Sequence, residues 1–354
     1  MSTTQQLNNV PRPKAVVAMS GGVDSSVACA LALEAGYDAV GVTLGLFGGA
    51  SCCGAASAAD KAREACGRLG VRHYYKNAAP LFKKAVIGPF ERAYAEGRTP
   101  NPCVACNRHM KFSYLLDLAL EMGAGALFTG HYARLEGEGA ARALLRGADP
   151  DKDQSYFLYC IPGKSLDMLR FPLGGMKKSE VRALAARLGL RAAREKESRD
   201  ICFAGEGDYG EWLAARGGGG NPGDIVDREG RVLGRHRGVA FYTVGQRRGI
   251  NVAGGERLYV TGIDPARNQV RVGTAEEASV RSFRVSGYND LAGGGLDDAA
   301  VQIRYRQKPV KCSVKREGEL LAVSPDSPLF GAAPGQSAVF YRGDRVLGGG
   351  IIEI

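Results

Sequence analysis

The sequence predicts an α/β protein: a doubly wound parallel sheet, followed by a small β-rich central domain and a C-terminal antiparallel β-barrel. Three observations carry this. Residues 15–19 are a short, wholly apolar run, the pattern of a strand buried on both faces. They lead through a glycine-rich turn into a helix-period segment at 25–35 and a second apolar run at 39–44. Further helical patterns at 55–69, 111–121 and 179–188 alternate with short strand-like runs such as 126–129, as in a parallel sheet. Beyond the glycine run at 217–220 the helical period fades, and short β-rich segments separated by Gly, Asn, Asp and Pro take over.

Residues 1–14 are polar, carry two prolines and read as a loose tail. The first helix ends at Gly36, which closes a strand–turn–helix–strand unit. Runs at 239–244, 258–263 and 269–272 supply expected strands of the central domain, and runs at 300–306, 310–315 and 337–341 supply the barrel. A length prior of roughly 150 residues per domain gives two or three domains, and we place them at 1–208, 209–277 and 278–354. The chain carries neither a secretory leader nor an apolar run near the roughly 18 residues that span a bilayer, so a cytoplasmic protein without membrane contact is expected. A formal charge of +10 favours an anionic partner, nucleotide or polynucleotide. Nine cysteines without a leader read as buried thiols plus a reactive or metal-binding subset rather than a disulfide framework.

The first strand runs straight into Ser20-Gly21-Gly22-Val23-Asp24-Ser25-Ser26 and a helix, a setting in which glycines admit close backbone approach and helix-terminal N–H groups face a phosphate. It matches neither the Walker A loop nor the dinucleotide fingerprint. It resembles the pyrophosphate loop of the ATP pyrophosphatase superfamily, whose members cleave ATP to AMP and pyrophosphate while adenylating a substrate. On that reading Ser20, Ser25, Ser26 and the N–H groups of Gly21 and Gly22 hold pyrophosphate, and Asp24 helps place Mg2+. The plainer alternative is a tight turn with Ser25 as a helix cap. Thr129-Gly130-His131-Tyr132 follows another expected strand and belongs at the same sheet edge, with His131 either functional or a satisfied structural histidine.

Pro100 and Pro102 fix an extended entry to Cys103-Val104-Ala105-Cys106-Asn107, which places both thiols on a stiff, presented loop. Lys111 and Phe112 follow, and Ser198-Arg199-Asp200-Ile201-Cys202-Phe203 offers a third candidate thiolate beside basic residues. Zinc binding is an alternative for the C-x-x-C spacing, although the second half of a four-ligand site is not apparent. Cys52 and Cys53 lie in a Gly- and Ala-rich loop and are read as incidental thiols.

Taken in order, S-G-G-V-D-S-S, G-R-T-P-N-P-x-x-x-C-N, T-G-H-Y-A-R, K-D-Q-S-Y-F-L, I-C-F and G-Q-R-R-G closely resemble the bacterial tRNA-specific 2-thiouridylase family over nearly the whole chain. The resemblance implies a pyrophosphatase-type, adenine-nucleotide-hydrolase-like catalytic domain, ATP-dependent 2-thiolation of the wobble uridine, and tRNA partners for Lys, Glu and Gln. The sulfur donor would be a cysteine desulfurase, a relay protein or inorganic sulfide. It implies nucleotide contacts through Ala18, Met19, Val23, Leu44 and Gly130 besides the loop residues above. It puts the nucleophile at Cys106 and the persulfide carrier at Cys202, with a disulfide between them during turnover. Asn101 and Pro102 would enclose the target base; Lys152, Asp153 and Gln154, with Arg304 and Tyr305, would contact tRNA.

Cys103 stands where many relatives carry an aspartate. Two sulfur chemistries follow: a persulfide relay between Cys202 and Cys106, or a [4Fe-4S] cluster held by Cys103, Cys106 and Cys202, which the extra cysteine favours. Arg235-His236-Arg237 and Gln246-Arg247-Arg248 are further phosphate-contact candidates. The rival readings are a pyrophosphatase-loop ligase acting on a small molecule and a non-catalytic RNA-binding protein with a structural metal.

Overall fold

In the computed structural model, which describes residues 12–46, 55–194, 202–204, 209–252 and 257–354, the first element is a five-stranded parallel sheet. It comprises β1 (Lys14–Ala18), β2 (Asp38–Gly45), β3 (Arg72–Asn77), β4 (Ala126–Phe128) and β7 (Leu169–Arg170), in the order β3-β2-β1-β4-β7. The chain moves from β1 to β2 on one side, and β4 pairs on the other, so the strand order reverses between β1 and β4. That crevice is where open α/β sheets collect ligands.

Helices cover both faces. Helices α1 (Val23–Glu34), α2 (Ala55–Arg68) and α7 (Lys178–Arg187) bury Val27, Ala62 and Val181 against one face. The other receives Leu115, Leu116 and Ala119 of α6 (Leu115–Glu121). A helical segment not expected from sequence, α3 (Ala79–Phe82), passes through a π-helical turn, Lys83–Ile87, into α4 (Gly88–Ala95).

Two sequence expectations are corrected. The C-x-x-C segment is not a loop: α5 (Pro102–Cys106) is a helical first turn that continues through a π-helical stretch, Asn107–Tyr114, into α6. Pro102 stands at the first helical position, where its missing N–H costs nothing, and the Asn101 side chain caps the turn by accepting from Val104 N. Residues 239–244 do not begin as a strand either. Val239–Phe241 is a 3₁₀ turn with Val239, Ala240 and Phe241 all buried, a consecutive burial that a half-exposed strand cannot produce.

The central domain holds helix α8 (Tyr209–Ala214) and a four-stranded sheet of β8 (Gly223–Val226), β9 (Val232–His236), β10 (Tyr259–Asp264) and β11 (Gln269–Gly273). A short pair, β12 (Ser279–Val280) with β17 (Leu329–Phe330), leads into the barrel. The barrel strands are β13 (Phe283–Asp290), β14 (Ala300–Gln302), β15 (Val310–Glu317), β16 (Leu320–Pro325), β18 (Ser337–Arg342) and β19 (Arg345–Glu353). They run β13-β16-β15-β14-β18-β19 and close through β13–β19. A hairpin from much earlier in the chain, β5 (Ala133–Glu136) and β6 (Ala143–Arg146), joins the outside of β19. Barrel and parallel sheet also share one hydrophobic cluster, from Val16 and Leu127 to Val339 and Tyr341. No helix among the described residues is long and apolar enough to cross a membrane.

Several residues expected at the RNA surface also fasten this arrangement. Asp153 is buried. Its carboxylate accepts from Arg146 Nη1 at 2.9 Å, Gly147 N at 2.9 Å, Ser155 N at 3.0 Å and Ser155 Oγ at 2.9 Å. Arg146 also donates to Gln302 Oε1 at 2.8 Å and lies 3.7 Å from the centroid of the Tyr341 ring. Gln154 Oε1 accepts from Tyr132 N at 3.0 Å. Arg304 donates to Val244 O and Gly331 O, tying central domain to barrel, and Tyr305 stacks on Phe157 at 4.6 Å. Asp153→Ala leaves Arg146 without its counter-charge and three donors without an acceptor. We expect it to cost about 3 kcal/mol, seen as a lowered urea midpoint.

Candidate functional site

The glycine-rich loop is shaped by its own side chains. Ser25 Oγ accepts from Ser20 N and Ser20 Oγ, each at 3.2 Å, and donates to Gly22 O at 3.0 Å; Ser26 Oγ donates to the same carbonyl at 3.0 Å. Gly21 adopts φ +79°, a left-handed conformation that favours glycine, and a Cβ there would meet Ala58 O of α2 at 2.5 Å. The N-cap of α1 is Gly22, without a side-chain cap, so the first turn presents bare N–H groups and the positive end of its dipole. The upstream edge is held by Thr43 Oγ1, which donates to Met19 O at 2.7 Å, and Lys61 and Arg68 of α2 line a crevice beside Gly21. Ala18 ends β1, and Leu44 is the penultimate residue of the flanking strand β2. Together these features make an anion cradle.

The end of β4 touches this loop. A Cβ on Gly130 would fall 2.8 Å from Asp24 C and 2.9 Å from Ser25 N, so glycine is what allows the two segments to meet. From the same turn Tyr132 OH donates to Asp24 Oδ1 at 2.7 Å. Lys178 of α7 donates to Asp24 Oδ1 at 2.7 Å and Oδ2 at 2.8 Å. The Asp24 carboxylate, expected from sequence to help place a metal ion, is thus engaged by an ammonium and a phenol.

His131 joins the cradle to the cysteine helix. The Lys111 ammonium has only donors, so at 3.1 Å it donates to His131 Nε2, which leaves the proton on Nδ1 to be donated to Thr129 Oγ1 at 2.7 Å. The ring is buried against Phe112 and Phe171. Burial, reinforced by the Lys111 charge, holds His131 well below its ordinary pKa and so neutral.

The helix that carries Lys111 also carries Cys103, which keeps solvent contact, and the half-buried Cys106. It is fixed by Asn107 Nδ2 donating to Phe157 O at 3.0 Å and by the buried Cys160 thiol donating to Val104 O at 3.4 Å. At its entry, Thr99 N donates to Pro334 O and Arg98 pairs with Glu353 at 2.8 Å, both on the barrel side. Cys202 keeps solvent contact too, and the neighbouring Phe203 ring packs edge-on against Phe82 and Phe90 and tilted against Trp212, with centroids at 5.9, 5.2 and 5.0 Å. Phe203 and Cys106 border one apolar cluster around Phe82 and Met110.

The three thiols sense one another. Crowding by protein raises the Cys106 thiol, which Lys111 lowers and Cys103 raises further. Burial also raises Cys103, against the pull of Lys111. Cys202 is pushed up to about 12 by burial, with Cys106 and Cys103 adding to the rise and Lys111 opposing it. Lys111 is thus the common cation of the site, a role suggested by its place five residues after Cys106 but fixed only by the fold. Among the described residues no three His, Cys, Asp or Glu side chains are grouped so as to hold a metal ion. No disulfide joins Cys103, Cys106 and Cys202. Cys52, Cys53 and Ser198–Ile201 lie outside the described residues. Arg235, Arg237, Arg247 and Arg248 are exposed in the central domain, whereas His236 is buried.

Three family models match in sequence order: a tRNA methyl transferase HUP domain at residues 13–206, a tRNA methyl transferase PRC-barrel domain at 212–274, and an aminomethyltransferase β-barrel domain at 289–352. The chain is 44% identical to the tRNA-specific 2-thiouridylase MnmA of Zymomonas mobilis, with 97% of this chain and 95% of the relative covered. It is 46% identical to the protein of the same name from Geobacter metallireducens, with 97% of each covered. A 4-thiouridine synthetase solved with RNA and ATP is 22% identical over 54% of this chain and 44% of its own, with a TM-score of 0.36, a likeness too loose to inform function.

The neutral His131 has a consequence for stability. Its folded pKa lies below the unfolded value of about 6.5, so the unfolded chain takes up the proton first, and the contribution of His131 is present above that pH and lost as pH falls below it. The fall in urea midpoint between pH 7.5 and 5.5 is expected to be shallower in His131→Gln than in the parent; equal slopes contradict the assignment.

Proposed function

The chain belongs to the tRNA-specific 2-thiouridylase family of tRNA sulfurtransferases, and on that premise we propose how its residues divide the work: ATP activates the wobble uridine at the glycine-rich loop, and Cys202 and Cys106 deliver sulfur to the same base. The observation that carries this is the continuity of the two half-sites, with the Gly130 turn against the loop and the Lys111–His131 contact leading to the thiols.

The C2 oxygen of uracil is a poor leaving group. Its attack on the α-phosphate of ATP expels pyrophosphate into the cradle of Ser20, Gly21, Gly22, Ser25 and Ser26 and leaves an O-adenylate, whose departure as AMP is easy. The protein's part in this step is positioning and electrostatic stabilisation by fixed N–H groups. The base leaves the anticodon stack to reach the site, with Asn101 and Pro102 at the entrance. A donor loads Cys202 as a persulfide. The Cys106 thiolate attacks the inner sulfur, forming a Cys106–Cys202 disulfide and releasing hydrosulfide, which adds at C2 and displaces AMP. An external dithiol then reduces the disulfide, and the electrons balance. Lys111 favours the Cys106 thiolate, and the mutual influence of Cys106 and Cys202 supports a two-thiol relay. Cys103 is an accessory thiol in this scheme. The tRNAs for Lys, Glu and Gln are the substrates the family resemblance implies.

Single-turnover reactions with tRNA, ATP and a persulfide donor, followed by mass spectrometry without reductant, test the relay. The parent should yield the Cys106–Cys202 disulfide, Cys106→Ser should retain an extra sulfur on Cys202, and Cys103→Ala should remain active. About four irons per chain after anaerobic purification, with sulfide-supported activity lost in Cys103→Ala, would overturn the relay in favour of a cluster. Gly130→Ala moves the loop without touching any thiol. It should lower thiolation about a hundredfold while persulfide loading of Cys202 is unchanged.

A further inference from the structure

Lys178 is the buried cation of the nucleotide loop, yet nothing in its sequence neighbourhood announces it. It opens α7, where the positive end of the helix dipole disfavours an ammonium. Its backbone N–H donates to Asp149 Oδ2 at 2.9 Å, which fixes where the side chain begins. From there the stem crosses to α1, and Nζ donates to both oxygens of Asp24, at 2.7 and 2.8 Å, while lying 5.5 Å from the centroid of the Tyr132 ring. The Lys178 side chain is 11% exposed and that of Asp24, in the first turn of α1, is 33%, so the pair keeps solvent contact mainly through Asp24.

This placement answers an electrostatic problem. A carboxylate in the first turn of α1 sits among the N–H groups that would receive a polyphosphate, and alone it would repel that ligand. Holding Lys178 against Asp24 removes the repulsion and stations an ammonium beside the uncapped turn. We propose that Lys178 is a nucleotide-binding residue: Asp24 holds its ammonium at the mouth of the loop, and the ammonium pairs with polyphosphate oxygens when ATP arrives. The proposal rests on the ATP reading above and adds to it a cation supplied by the chain at the position where a metal ligand was expected from sequence. The competing role is purely structural, with Lys178 serving only to neutralise Asp24.

Calorimetric titration of the full chain with ATP and with pyrophosphate, in EDTA so that no divalent cation contributes, separates the two roles when combined with urea midpoints. We expect Lys178→Met to weaken binding by about tenfold or more and Lys178→Arg to retain most of it. Asp24→Asn should bind pyrophosphate at least as tightly as the parent. The double variant Lys178→Met with Asp24→Asn should recover the parental urea midpoint, because no charge is left buried and unpaired, while still binding weakly. A double variant that recovers both midpoint and affinity overturns the proposal, because Lys178 is then only a counter-ion. If Lys178→Met does not fold, Lys178→Arg and the double variant decide, and parental pyrophosphate affinity in the double variant overturns the proposal. Failure of the parent to bind either ligand, both in EDTA and after Mg2+ is added, sinks the ATP reading itself, whereas normal parental binding with an unaffected Lys178→Met variant sinks only the role of Lys178.

Discussion

The backbone contact between Gly130 and the Asp24–Ser25 peptide is the constraint on which the rest of the site depends. It arises because β1 and β4 are adjacent and in register at the point where the strand order reverses, so the turns that follow them leave the sheet side by side. A side chain at position 130 would push those turns apart. With glycine there, Tyr132 reaches Asp24, and His131 projects towards the cysteine helix. One missing Cβ thus lets an anion cradle and a thiol site share a wall.

Rigidity on the sulfur side comes from a different source. Cys103 and Cys106 ride on a helix clamped at its entry by Asn101 and Pro102, along its side by Asn107 and Cys160, and further on by the Lys111–His131 contact. The barrel supports this helix through Tyr156, whose hydroxyl donates to Ile303 O and Ser337 O, and through the bond from Thr99 to Pro334. The surrounding protein raises all three thiols, and Lys111 opposes that effect.

Much of this was legible in the sequence, and the limits have physical causes. The first strand, the glycine-rich loop and α1 are contiguous, so composition and order were enough to read them as an anion cradle. The β texture of the last third was equally plain, although the hairpin Ala133–Arg146 joins the barrel sheet from far earlier in the chain. The prolines near Cys103 were read as loop formers, because a proline at a helix's first position looks the same in sequence as one in an extended segment. The internal partners of Asp153 and Arg304 are not legible in the sequence, because a charged residue in a polar motif gives no sign that it meets backbone groups or an arginine brought in by the fold. The Asp24–Lys178 pair spans 154 positions, and no local pattern encodes it.

The claim that the loop and the thiols serve one base is tested most directly by counting products. A single-turnover reaction with α-labelled ATP, unmodified tRNA and a persulfide donor gives AMP and 2-thiouridine from the same quench. The account requires one AMP for each 2-thiouridine, with no AMP formed when tRNA is withheld and no 2-thiouridine formed when ATP is withheld. AMP release that proceeds equally without tRNA, or thiolation that proceeds without ATP, would show that the two half-sites do not act on a common substrate.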